Sequence, residues 1–156
     1  MSNRTADHST FTINRTFAAS PAQAFAAWAD PAAKARWFAE PPSWQLLERQ
    51  HDFRAGGREV LRGRWENGTV SAFDARYWDI VPDRRIVYTY DMHLDDRRIS
   101  VSLSTVEFEP SGTGTRMRYT EQAVFLDGYD DASSREKGTQ GLIDRLEASL
   151  EPGARA

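Results

Sequence analysis

The chain's 156 residues suit one domain with a sizeable core, and its 40% apolar and 28% charged content is that of a globular rather than a disordered or fibrous protein. A formal charge of -3 supplies no net positive field to gather nucleic acid or anionic lipid, so neither is expected as a partner. The absence of cysteine excludes disulfides, thiolate metal sites and a Cys nucleophile; with no signal-like stretch in residues 1–10 and no apolar run near the ~20 residues of a membrane span, the expectation is a cytoplasmic protein without membrane insertion.

Residues 1–9 are polar and read as a disordered arm. Over residues 10–18, Phe11, Ile13, Arg15 and Phe17 alternate with Thr12, Asn14 and Thr16, the period of a strand, with Arg15 the one mismatch. Ser20-Pro21-Ala22-Gln23 then combines an N-cap serine, proline at the first helical position and glutamine at the third, which opens a short helix running to about Trp28. Asp30-Pro31 caps a second short helix over residues 32–38, and Pro41-Pro42 ends it.

From residue 43 to 125 the period changes to two. Strands are expected over residues 44–53, 58–66, 70–81, 86–93, 99–109 and 115–125. Gly56-Gly57, Asn67-Gly68, Pro82-Asp83, Asp95-Asp96 and the Pro110–Gly114 segment punctuate them as turns. Asn67-Gly68 is the strongest of these signals, because both residues tolerate positive φ. The last element is helical: Ser133-Ser134-Arg135-Glu136 reads as a capping box, Leu142, Leu146 and Leu150 recur every fourth residue, and Glu151-Pro152-Gly153 stops the run, leaving residues 152–156 as a tail. Gly138 and Gly141 interrupt this helix at ~1 kcal/mol each relative to alanine, a cost tolerated where a sheet or a bound molecule must come close. The resulting architecture is α+β, a single domain over residues 10–151: a curved antiparallel sheet of about seven strands with two short helices after the first, covered by the long C-terminal helix.

Several kinds of chemistry find no support. His8, His51 and His93 are scattered without metal-ligand spacing, and no serine elbow or phosphate-cradling glycine loop precedes a helix, so no metal and no cofactor are expected. The aromatic residues are more informative. Tyr88, Tyr90 and Met92 share one face of their strand, where phenol hydroxyls need partners; such a wall suits a cavity for a flat or lipid-like ligand as well as it suits an aromatic core. Glu121 shares a face with Tyr119, Ala123 and Phe125, Glu107 shares one with Val101 and Leu103, and Arg62 and Arg64 share one with Val60. A carboxylate buried beside an arginine stays charged, whereas one buried alone has a raised pKa and can act as an acid or base. Glu121, with Arg62 or Arg64 as partner, is the one candidate for orienting or polarising a ligand; an ordinary ion pair is the competing account.

The motifs Ile13-x-Arg15-x-Phe17-x-Ala19-Ser20-Pro21, Phe25-x-x-Trp28-x-Asp30-Pro31, Trp37-Phe38, Asp52-x-Arg54-x-Gly56-Gly57, Ile80-Val81-Pro82-x-x-Arg85-Ile86-Val87-Tyr88-Thr89 and Gly112-x-Gly114-Thr115-Arg116 occur in that order. As an ordered set over residues 11–150 they resemble the family similar to the activator of Hsp90 ATPase, within the START-like (SRPBCC, Bet v 1-like) superfamily that includes polyketide cyclase-like proteins. The resemblance implies the helix-grip fold and an internal cavity between sheet and C-terminal helix. Many members carry Gly-Trp early in the last helix, where this chain has Gly138-Thr139; loss of that ring enlarges the cavity or is repacked.

The resemblance implies a non-catalytic binder of a small hydrophobic or aromatic molecule. Two alternatives stay open: a cyclase- or hydrolase-type enzyme using a cavity carboxylate, which requires Glu121 or Glu107 to be buried at a roomy pocket, and a chaperone-associated interaction module with a filled core. The candidate ligand-binding residues are Trp65, Phe73, Tyr77, Tyr88, Tyr90, Met92, Tyr119, Glu121, Gly138 and Leu142. Homodimerisation is a family-level expectation only.

Overall fold

The computed structural model describes residues 4–151. Seven strands form one antiparallel sheet in the order β1-β7-β6-β5-β4-β3-β2: β1 (Ala6–Phe17), β2 (Gln45–His51), β3 (Arg58–Arg64), β4 (Val70–Val81), β5 (Arg85–Leu94), β6 (Arg97–Ser111) and β7 (Gly114–Leu126). Consecutive strands from β2 to β7 are hairpin neighbours. The connection from β1 to β2 carries α1 (Pro21–Ala29) and α2 (Pro31–Ala35) from one sheet edge to the other, and α3 (Ala132–Leu150) follows β7. This is the helix-grip fold.

Local chemistry explains the boundaries. Ser20 caps α1 through a reciprocal box with Gln23, whose backbone N–H bonds the serine Oγ at 3.2 Å while its side chain accepts from the Ser20 N–H at 2.9 Å. Asp30 ends α1 and caps α2. The turn after β3 is longer than Asn67-Gly68 predicts: Gly68 alone takes positive φ (90°), and a Trp65–Thr69 backbone bond closes a three-residue loop of the glycine-bulge kind.

Three expectations need correction. Residues 6–9 are not an arm: Ala6–Ser9 pair with Ala123–Leu126, because β7 runs long and its backbone groups need partners that polar Asp7 and His8 supply as well as any residue. Residues 1–3 and the 152–156 tail lie outside the described residues. The N-cap of α3 is Asp131, accepting from the Ser134 N–H at 2.9 Å, two residues before the expected serine, since an aspartate at that position outcompetes it. On β6 the apolar face points outward, with Val101 43% and Leu103 37% exposed, and Glu107 lies out there with them; the inward face is Ser100, Ser102, Ser104, Val106 and Phe108.

The core lies between the concave face of the sheet and the three helices. Phe11, Ile13 and Phe17 of β1, Phe108 of β6 and Met117 of β7 meet Phe25 of α1 and Ile143 and Leu146 of α3. Gly63 on β3 is required here, because a Cβ on it would land inside the Trp44 ring.

Candidate functional site

Beyond that packed region the helix and sheet separate, and a cavity of about 430 Å³ remains between them. Its sheet wall is Leu61 of β3, Ser71 and Phe73 of β4, Tyr88, Tyr90 and Met92 of β5 and Tyr119 of β7. Trp28 of α1, Lys34 of α2, and Trp37 and Phe38 just after α2 line it as well, and Pro41 and Trp44 approach from the segment before β2. The helical wall is the face of α3 carrying Arg135, Gly138, Gly141, Leu142 and Arg145. Aromatic rings set the shape: Phe73 lies 4.8 Å from Tyr90 and 4.9 Å from Phe38, and Trp28 stacks on Tyr119 at 6.2 Å.

The two helical glycines do not serve close packing. A Cβ built on Gly138 or Gly141 would meet no atom within 4 Å; both residues border the cavity, Gly141 half-buried and Gly138 exposed. Neither has a positive φ that would demand glycine. Of the two accounts of their helix cost, approach of the sheet is thereby ruled out as a steric need.

Two buried polar clusters support the walls. In the first, Glu121 is fully buried and its carboxylate is saturated. Oε1 accepts from the Tyr119 hydroxyl at 2.6 Å; Oε2 accepts from Tyr90 at 2.8 Å, Ser102 at 2.9 Å and Arg135 at 3.4 Å. Ser104 sits 2.9 Å from the Tyr119 oxygen and, since that phenol gives its hydrogen to Glu121, donates to it. Arg135 also donates to Ser100 (2.7 Å), Asp130 (3.0 Å) and the Tyr90 oxygen (3.0 Å). Burial opposes the guanidinium charge, yet Tyr90, Glu121 and Asp130 together hold its pKa above the ordinary value. Burial, reinforced by Glu121, pushes the Tyr90 and Tyr119 phenols well up.

The expected partner of Glu121 is therefore corrected. Arg62 lies at the far side of the sheet beside Glu48 (3.4 Å) and Arg64 is exposed, because β3 and β7 are four strands apart. Arg135 comes instead from the helix. Glu121 itself stands behind Tyr90 and Tyr119 rather than in the cavity surface, and Glu107 is on the outer face.

The second cluster has no counterpart in the sequence reading. Lys34 of α2 is 3% exposed, its ammonium 2.6 Å from Glu59 Oε1, and the Tyr77 hydroxyl donates to the same oxygen at 2.5 Å. His51 Nε2 lies 3.1 Å from the Tyr77 oxygen and, with the phenol hydrogen already committed, donates to it. Burial lowers the Lys34 pKa, with Glu59 acting in the opposite sense, and lowers that of His51 against the same carboxylate. The Lys34 ammonium is ringed by Phe38 (4.8 Å), Trp28 (5.4 Å), Trp37 (5.8 Å) and Tyr88 (5.9 Å).

Of the sequence-predicted residues, Phe73, Tyr88, Tyr90, Met92, Tyr119, Gly138 and Leu142 meet at the cavity. Glu121 is one layer behind. Tyr77 sits beneath the floor on Glu59, and Trp65 backs Trp44 at 6.4 Å with its indole donating to Ser71 (3.1 Å). Sequence reasoning missed Lys34, Glu59, Arg135, Trp28, Trp37 and the inward serines. Two signals pointed to some of them: Lys34 is one of only two lysines, and Glu59 alternates with Leu61 and Gly63 onto one strand face.

Residues 18–151 match the profile of the family described as Activator of Hsp90 ATPase homolog 1-like protein. The chain belongs to this family. Its fold recurs in an uncharacterised protein from Rhizobium leguminosarum, 47% identical, with a TM-score of 0.91 over 96% of this chain and 98% of that one. A protein from Rhizobium loti is similar at 47% identity and TM-score 0.87, covering 94% and 99% of the two chains. A more distant family-like fold, from Chromobacterium violaceum, is 26% identical with TM-score 0.74 over 92% and 97%. No curated protein matches the chain. Among the described residues no helix of this family member is long and apolar enough to cross a membrane.

Proposed function

We propose that this protein binds one small hydrophobic or aromatic molecule in the cavity between α3 and the sheet. The observation that carries the reading is the pair Gly138 and Gly141: a helix interior gives up about 1 kcal/mol at each, and nothing in the chain occupies the space so cleared. A cavity of about 430 Å³ lies in the range of small-molecule sites; its sheet wall is rich in aromatic rings, and polar and charged side chains such as Lys34, Arg135 and Arg145 stand at its other sides. Glu121 supports binding rather than acid–base chemistry, because four donors occupy its oxygens and two tyrosines separate it from the cavity.

The test fills the space. Gly141→Phe places a ring where no atom now lies within 4 Å of the new Cβ. Tryptophan fluorescence follows binding of a panel of aromatic hydrocarbons, ketones and phenols, since Trp28, Trp37 and Trp44 line the cavity. The expected result is saturable one-to-one binding by wild type and its loss in a variant that keeps a cooperative melt. Unchanged binding in Gly141→Phe would place the ligand elsewhere and refute the reading.

A further inference from the structure

Where Lys34 and Trp28 border the cavity, buried donors lack acceptors. Among the described residues, the one acceptor bonded by the Lys34 ammonium is Glu59, which leaves two of its three N–H groups without a bonded acceptor in a surround of aromatic rings. Independently, the Trp28 indole N–H is buried without an acceptor, as is that of Trp44, which also borders the cavity; of the two, Trp28 stands beside Lys34. The Trp28 ring is one of those around Lys34, and both residues border the cavity. The other polar cluster offers no such deficit: Arg135 is satisfied by Tyr90, Ser100, Glu121 and Asp130. Unmet donors in a low-dielectric site each disfavour the empty state, and a ligand oxygen placed against them removes that cost.

Charge narrows the choice of oxygen. Lys34 and Glu59 already neutralise each other at 2.6 Å. A carboxylate or sulfonate set against Lys34 would be a third buried charge beside Glu59, and the guanidiniums of the cavity are engaged elsewhere, Arg135 with Glu121 and Asp130 and Arg145 with the Trp37 and Ala39 carbonyls. A neutral carbonyl would accept from the ammonium without adding charge. We infer that Lys34 and Trp28 form a carbonyl-recognition subsite, and that the ligand is an uncharged aromatic or polycyclic molecule bearing a ketone or similar acceptor oxygen. This rests on the proposed binding function and names the chemistry of its ligand.

Three probes of matched shape separate the cases: 2-acetylnaphthalene, 2-ethylnaphthalene and 2-naphthoate, titrated by tryptophan fluorescence and calorimetry. Wild type is expected to bind the ketone about tenfold or more tightly than the hydrocarbon, the scale of a hydrogen bond to a charged donor, and more tightly than the carboxylate. Trp28→Phe keeps the ring but removes the N–H, and should reduce the ketone's advantage several-fold. Lys34→Met combined with Glu59→Gln removes the ion pair as a unit, which avoids stranding one buried charge. It should cut the ketone-to-hydrocarbon ratio to the few-fold share left to the Trp28 N–H, and adding Trp28→Phe should bring it to about one, while the hydrocarbon's affinity is kept. Equal binding of ketone and hydrocarbon by wild type would overturn the subsite and leave the cavity reading standing, as would tightest binding of the carboxylate. Failure of all three to bind would overturn both.

Discussion

Replacing Gly138 and Gly141 by alanine separates a cavity from a helix–sheet contact. Both glycines lie well inside α3 (Ala132–Leu150), where each costs about 1 kcal/mol relative to alanine, and the new Cβ atoms meet nothing within 4 Å, so no steric term offsets the gain. The double variant is expected to be more stable by about 1.5–2 kcal/mol; at about 2–4 °C per kcal/mol for a domain of this size, its melting temperature should rise by roughly 3–8 °C. Urea denaturation and calorimetry measure the gain. Two added methyl groups in the cavity wall should at the same time weaken binding of a ligand that fills the space, giving a variant more stable yet poorer at binding. A double variant less stable than wild type would refute the reasoning, because it would mean that the sheet does come against these positions.

Three further outcomes follow from the buried groups and the tight contact at β3. Glu121→Gln leaves Arg135 with Asp130 as its one remaining anionic partner and should cost about 3 kcal/mol in chemical denaturation, with the Arg135→Met double mutant losing much less than the sum of the singles. Gly63→Ala forces the Trp44 ring out of its seat and should cost about 1–3 kcal/mol, read from the same unfolding curves. Tyr77, Tyr88, Tyr90 and Tyr119 have phenols raised above the ordinary value near 10, chiefly by burial. A raised folded-state pKa gives stability that is full below pH ~10 and lost as pH rises above it, so these four should ionise together on alkaline unfolding. A phenolate absorbance titration that shows them ionising in the still-folded protein would contradict this.

Elements with local signatures were legible in the sequence. The Ser20–Gln23 box, the alternation of Tyr88, Tyr90 and Met92, and the hairpin turns depend on residues a few positions apart, and the structure forms each of them. The ends of long strands were not, because β1 gains Ala6–Ser9 from pairing with β7 and polar side chains there carry no period. Alternation also could not say which face is inner: on β6 the serines are inside and Val101 and Leu103 outside, since Glu121 and Arg135 need the serine hydroxyls. Charge partners stayed hidden for a related reason. Lys34 and Glu59 are 25 residues apart and Glu121 and Arg135 sit on a strand and a helix, so only the tertiary fold joins them.

Native mass spectrometry of the protein taken directly from its cells, with denaturing extraction of whatever it carries, tests the binding function most directly. The account predicts a single uncharged aromatic molecule at one copy per chain, absent from Gly141→Phe prepared in the same way. Retention of the same molecule at the same ratio by Gly141→Phe would contradict it.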